Sequence, residues 1–150
     1  MAARTGPLRR TFTGTAGDGR RAFYAGPMIS PTGQRLRVVP SQFTLGHVPD
    51  ATFPEDDEWI ALVRAPEGLT VVRESWGNDS GRRWVGFYGD QPHELDVPGM
   101  LAAVVGPLAE AGVPVFVAST FHADLVLVPV ERQGDASLAL KNAGHEVLDR

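Results

Sequence analysis

The most constraining feature of this chain is the order of its secondary-structure signals between residues 83 and 148. An apolar run at residues 84–87 precedes a helical pattern, two β-branched runs, a second helical pattern and a closing run at residues 145–148. Such runs between turn residues favour strands, whereas apolar residues at i, i+3 and i+4 favour helices. The order predicts an α+β unit of the ferredoxin-like (βαββαβ) type, with both helices on one face of an antiparallel sheet.

The first helix is expected over residues 97–111. Asp96 is the candidate N-cap, Pro98 suits the first turn, and Gly112 suits the left-handed position that follows a helix. Apolar residues recur along one face at helical spacing: Leu101, Val104, Val105, Leu108 and Ala111.

Pro107 is the one discordant residue in this helix. It has no N–H to donate to the carbonyl of Ala103, a loss of about 3 kcal/mol unless a bend relieves it. We therefore expect a kink beside Gly106.

The remaining elements of this unit are two strands and a helix. The runs at residues 113–118 and 125–130 are expected to be interior strands joined by the polar residues 119–124. The second helix is expected over residues 134–143, with Gly144 just beyond its end.

The first half of the chain is β-rich. Strands are expected at residues 43–48, 59–64 and 69–74, and the short turn between the last two indicates a hairpin. Of the tryptophans, Trp59 and Trp84 are expected in the core and Trp76 at the surface. The acidic run at residues 55–58 is expected to be a solvated face, because its carboxylates have no metal-ligand spacing.

Charge and composition indicate three segments. Residues 1–35 are a candidate disordered basic extension, because they carry six arginines, one aspartate and little apolar surface, for a net charge of +5. The rest of the chain carries −9, so a nucleic-acid partner is not expected. The other predicted boundaries give a partial unit at residues 36–82 and a complete unit at residues 83–150.

Several functional classes lack any sequence signal. There are no cysteines, so disulfides and thiolate metal sites are excluded, and a cytoplasmic location is the default expectation. No apolar run approaches the roughly 20 residues of a membrane helix, so no membrane partner is expected. Neither a dinucleotide-binding nor a P-loop motif is present, and no cofactor is expected.

Catalysis and metal binding also find little support. His122 and Asp124 would share a strand face, but no third ligand has a fixed spacing, so no metal site is expected. Ser119 lacks the G-x-S-x-G environment of a hydrolase nucleophile. We therefore do not expect an enzyme.

Three stretches of the second half carry a family resemblance. They are Pro98-Gly99-Met100-Leu101, the run from Gly106 to Val113, and Val115-Phe116-Val117-Ala118-Ser119-Thr120-Phe121 with the following Asp124. Together they resemble small bacterial tandem ACT-domain proteins, which are similar to the ACT repeats of cytosolic arginine sensors. The resemblance covers about residues 36–147 and is looser in its first half. The family pattern has Thr-Asp-Tyr where this chain has Ala123-Asp124-Leu125.

The resemblance implies a regulatory module that binds a small molecule, in particular an amino acid. Such a module acts through ligand-dependent association of ACT units, here with their two sheets side by side, and a homodimer is a possible assembly. The alternative is a protein-interaction module with no small ligand.

A ligand site is expected at the rim formed by the start of the first helix and the loop between the next two strands. The helix start would bind a carboxylate through backbone N–H groups, and Asp124 would bind an ammonium group. The alternative is a structural role, in which the hydroxyls tie down the turn and Asp124 accepts local backbone hydrogen bonds. The candidate ligand-binding residues are Val97, Gly99, Met100, Leu101, Ser119, Thr120 and Asp124.

Overall fold

The computed structural model describes residues 33–77, 79–93 and 95–149, which form seven strands, two α-helices and a 3₁₀ turn. Residues 1–32 of the expected basic extension lie outside the described residues, whereas Arg35 already begins the first strand. The elements in chain order are β1 (Arg35–Val48), β2 (Trp59–Ala65), β3 (Gly68–Glu74), β4 (Trp84–Gly89), α1 (Met100–Glu110), β5 (Phe116–Ser119), β6 (Asp124–Pro129), the 3₁₀ turn (Val130–Arg132), α2 (Gln133–Asn142) and β7 (Glu146–Leu148).

All seven strands of the described chain belong to one sheet, in the order β2-β3-β1-β4-β6-β5, with β7 beside the beginning of β1. The expectation of two sheets side by side is therefore wrong. Strand β1 is long enough to bond to β4 along one edge and to both β3 and β7 along the other. The two halves of the chain consequently share a continuous set of backbone hydrogen bonds, while the predicted boundary between residues 82 and 83 remains a prediction.

Strand β1 carries a bulge at its middle. Its pairing with β4 shifts between Val38, which lies opposite Phe87, and Gln42, which lies opposite Val85. Pro40 lies within this interval and has no backbone N–H for the ladder. The proline thus explains why the pairing of β1 with β4 is interrupted at this point.

The ends of both helices follow simple capping rules, with one correction. Helix α1 begins at Met100 rather than at residue 97, and Asp96 is not its cap. Both helices end as predicted, with a glycine at positive φ after the last turn: Gly112 at 65° and Gly144 at 91°. At the first of these ends, the N–H of Val113 bonds to the carbonyl of Leu108, which closes a Schellman motif.

The structure shows how α1 accommodates its internal proline. The carbonyl of Ala103 has no helical donor, because Pro107 has no backbone N–H. The Nε2 atom of His145 lies 2.9 Å from that carbonyl oxygen. Because a carbonyl can only accept, His145 must donate from Nε2. A buried side chain at the start of the closing segment therefore replaces the hydrogen bond that the proline removes.

The two faces of the sheet differ in their covering. Helices α1 and α2 pack on one face, which we call the covered face, over side chains from β1, β4, β6 and β7. The opposite or open face holds a smaller cluster of three buried side chains, Phe43, Val72 and Leu127. Half-buried apolar residues surround that cluster: Val39, Leu45, Ala61, Trp84, Phe116 and Leu125.

Two positional expectations are wrong. Strand β5 is an edge strand rather than an interior one, because β6 is its sole neighbour among the described strands. Trp59 is 39% exposed rather than part of the core, since it begins the other edge strand, β2. Trp84 is only half-buried, packed against the smaller cluster rather than within the core, whereas Trp76 is exposed, as expected. Neither helix of the described chain is long and apolar enough to cross a membrane.

Candidate functional site

The hairpin between β5 and β6 brings three of the predicted site residues together. Ser119 and Asp124 lie opposite each other in the ladder, and the Ser119 hydroxyl donates to Asp124 Oδ1 at 2.6 Å. Thr120 Oγ1 lies 2.9 Å from the carbonyl oxygen of Ala123 and 3.1 Å from its amide nitrogen. These contacts make the hairpin a rigid support for the Asp124 carboxylate.

A tyrosine from the adjacent strand reinforces this turn. The Tyr88 hydroxyl lies 3.3 Å from Thr120 Oγ1. Because the Thr120 hydrogen is engaged by the carbonyl of Ala123, Tyr88 is the donor in this contact. The turn is therefore connected to β4 as well as to β5 and β6.

The loop before α1 approaches the same hairpin through His93. The backbone N–H of His93 donates to the carbonyl of His122 at 3.0 Å. Its Nε2 atom lies 3.9 Å from Asp124 Oδ2, and the His93 and Asp124 side chains are only 14% and 16% exposed. The carboxylate thus lies largely out of water, with a hydroxyl on one oxygen and an imidazole near the other.

This arrangement differs from a nucleophile activated by a base. Ser119 donates its hydrogen to Asp124, and His93 approaches that same carboxylate rather than the Ser119 hydroxyl. A nucleophilic serine instead donates to a basic nitrogen that accepts its proton. The geometry presents an oriented anion, which suits the binding of a cation or a hydrogen-bond donor.

The start of α1 supplies the other predicted site residues. Gly99 precedes the helix at a φ of 85°, and no side chain of the described residues caps this end. The uncapped N–H groups of the first turn and the helix dipole both favour an anion. Met100 is buried, and its carbonyl accepts a 2.8 Å hydrogen bond from Gln34 Nε2. The first turn is therefore fixed to the segment that leads into β1.

The remaining predicted residues differ in their surroundings. Val97 is exposed and lies before the helix, whereas Leu101 packs against the core of the covered face. Three further residues at this site were not predicted from the sequence: His93, Tyr88 and Gln34. Their sequence spacing gives no sign of a shared site, because each meets its partner only through the fold. Within the described residues, no group of three histidine or acidic side chains is placed to hold a metal ion.

Comparisons with known proteins bear on this same segment. Residues 79–142 match the family model described as the ACT domain, and the matched segment contains every predicted site residue. ACT domains in general are regulatory modules that bind small molecules. No curated protein matches the chain.

Two solved structures share the fold. A protein from Agobacterium tumefaciens is 23% identical, with a TM-score of 0.64 over 79% of this chain and 94% of that chain. A protein from Vibrio cholerae, described as of unknown function and a possible transport protein, is 25% identical. Its TM-score is 0.60, and the match covers 73% of this chain and 90% of that chain. Each of these likenesses covers more of the chain than the ACT-matched segment does.

Proposed function

We propose that this protein is a regulatory module that binds a free amino acid, acting through ligand-dependent association of ACT-type units. The observation that carries the proposal is the ACT-domain match over residues 79–142, because it spans both α1 and the Asp124 hairpin. A binding role rather than a catalytic one is also in keeping with the Ser119–Asp124 hydrogen bond, which engages the hydroxyl hydrogen.

The rim offers complementary groups for the two charges of an amino acid. We assign the ligand ammonium to Asp124 Oδ2, since Ser119 already engages Oδ1. We assign the ligand carboxylate to the uncapped first turn of α1, where N–H groups and the helix dipole favour an anion. His93 would contact the bound ligand, because its ring lies beside the same carboxylate oxygen.

A ligand in this position has a route to assembly through the sheet. Strands β2 and β5 are the edges of the path through the described sheet, and an edge strand has unpaired groups that can bond to another chain. The Asp124 hairpin ends β5, so a ligand there would bias how that edge pairs. The size of the response is limited by the difference between the affinities of the two states for the ligand.

The test is thermal unfolding of the full chain with each standard amino acid at millimolar concentration. A ligand at about 100 times its dissociation constant adds about 2.7 kcal/mol, which raises the midpoint of a chain this size by about 5 to 10 °C. Asp124→Asn should reduce the shift by the part that the rim contributes while retaining the fold, because the amide preserves an acceptor for Ser119. Asp135→Asn, which changes an exposed acid on α2, is the matched control.

Either of two outcomes would contradict this proposal. No amino acid shifts the wild-type midpoint, or the shift persists unchanged in Asp124→Asn. Sedimentation velocity with and without the active amino acid separately tests the association step, which requires a ligand-dependent change in mass.

A protein-interaction module without a small ligand is the second candidate. The exposed apolar residues of edge strand β2 favour it, since Trp59, Ile60 and Val63 are 39%, 40% and 48% exposed. If this edge binds another chain, Ile60→Lys should weaken that association without altering any ligand-induced shift in the midpoint. Thr70→Lys on the neighbouring strand β3 is the control.

A further inference from the structure

A cleft lies where β4 begins, whereas the Asp124 hairpin lies where β4 ends. Its volume is about 290 Å³, close to the lower limit for small-molecule sites. It lies beside the β1 bulge, where the pairing between β1 and β4 is interrupted, and the segment that follows β3 also lines it. We call it the bulge cleft, and the residues used below are Pro40, Gln42, Glu74, Ser75, Trp76 and Arg83.

Arg83 is the cationic group of the bulge cleft, and it differs from the other described arginines in its side-chain partners. Each of the other six arginines of the described chain meets an acidic or aromatic side chain. Arg83 meets neither an acidic nor an aromatic side chain among the described residues. It makes one long hydrogen bond, of 3.4 Å to Gln42 Oε1. Its guanidinium therefore retains N–H donors for an anion in the cleft.

Ser75 supplies an unsatisfied group at the same place. Its hydroxyl oxygen is buried and has no hydrogen-bond partner within the described residues. Its backbone N–H donates to the carbonyl of Gln42 at 2.7 Å, which fixes the residue against β1. A buried hydroxyl without a partner has given up its hydrogen bonds to water, and a bound ligand can restore one of them.

Glu74 adds the opposite charge. It lines the cleft together with Arg83, yet the two form no ion pair, and Glu74 has no other cationic partner among the described residues. Trp76 is 72% exposed at the same cleft, where its ring can contact an apolar group or a cation. An unpaired anion and an unpaired cation beside an aromatic ring match a molecule that carries both charges.

We infer that the bulge cleft binds a small zwitterion, with its carboxylate on Arg83 and Ser75 and its cationic nitrogen near Glu74 and Trp76. A free amino acid and a betaine share this chemistry. The inference does not depend on the rim proposed above, because the two sites share no residue.

The experiment is calorimetric titration of the full chain with glycine betaine and, separately, with each standard amino acid. At least one should bind saturably, and Arg83→Gln should weaken it by about tenfold or more, the usual effect of losing a charge-assisted hydrogen bond. Glu74→Gln should weaken the same zwitterion but leave acetate, which lacks the cation, unaffected. A preference for betaine or for an amino acid identifies the source of the ligand.

Two controls separate this site from the rim and from general electrostatics. Arg82→Gln removes the same charge one residue earlier, and Asp124→Asn alters the rim; both should retain binding within about twofold. The inference is overturned if no zwitterion binds saturably, if Arg82→Gln weakens binding as much as Arg83→Gln does, or if Asp124→Asn alone abolishes it. If Asp124→Asn alone abolishes binding, the rim proposal stands. If binding is retained in Asp124→Asn and no amino acid gives a shift in the unfolding midpoint that depends on Asp124, the rim proposal alone is rejected.

Discussion

The covered and open faces of the sheet share β1, β4 and β6 but differ in how deeply they bury their side chains. On the covered face, residues such as Phe87, Leu108 and Leu140 are completely buried between helices and sheet. On the open face, Trp84, Phe116 and Leu125 remain half-buried around a small cluster. Stability should therefore depend mainly on the covered face, while the open face is free to contribute to assembly.

The largest expected effect is the loss of a side chain from the covered face. Leu108→Ala should lower the free energy of unfolding by about 3 kcal/mol, because it removes buried methyl groups and leaves a cavity between α1 and the sheet. Urea denaturation measures this change. A loss below about 1 kcal/mol would mean that α1 is not closely packed on the sheet.

The helix layer also contains a coupling that can be measured directly. His145→Ala should cost about 2 kcal/mol, because the carbonyl of Ala103 then lacks a donor inside the structure. In a Pro107→Ala background the helix supplies its own N–H, so the same change should cost about 1 kcal/mol less. A double-mutant cycle by urea denaturation tests this, and additive losses would contradict the proposed replacement.

A smaller effect is expected on the open face. Phe116→Ala should lower the free energy of unfolding by about 1 kcal/mol, since the ring is already half-exposed in the single chain. Denaturation at several protein concentrations is the measurement. A loss equal to that of Leu108→Ala, or one that grows with concentration, would show that a second chain covers this face.

The smallest effect on stability is expected outside the two apolar clusters, at the ion pair between Asp56 and Arg73. The hydrogen bond from Arg73 holds the pKa of the Asp56 carboxyl below its usual value. A lowered pKa in the folded chain contributes stability above the unfolded value of about 4, and this is lost as the pH falls through the folded value. NMR titration should show the pKa of Asp56 rising in Arg73→Gln, and an unchanged pKa would mean that the pair is open in solution.

Much of the helix-covered half was predictable because its signals are local. Helical spacing identified α1 and α2, and the glycines after them were identified as the ends of both helices. The start of α1 was not, because Asp96 and Pro98 have the composition of a cap but lie in turns before the helix. The alternation Arg35-Leu36-Arg37-Val38, exposed then buried, was an available strand signal that Pro40 obscured.

The candidate site, too, was predictable only where its residues lie close together in sequence. Ser119, Thr120 and Asp124 are close in sequence, so a hairpin necessarily brings them together. His93 and Tyr88 join them only because β4 and its following loop lie beside that hairpin. The bulge cleft had no signal at all, since β1, the end of β3 and Arg83 just before β4 contribute to it from distant parts of the sequence.

The sequence by itself determined the elements of this protein, because periodicity, capping glycines and turn residues act within a few positions along the chain. Only the tertiary structure decided that β1 lies between β4 and β7, which joins both halves into one sheet. It also decided that His145 donates to a carbonyl that Pro107 leaves without its helical donor. Strand order and such long-range hydrogen bonds depend on which surfaces pack together, and pairs distant in sequence leave no mark in a local pattern.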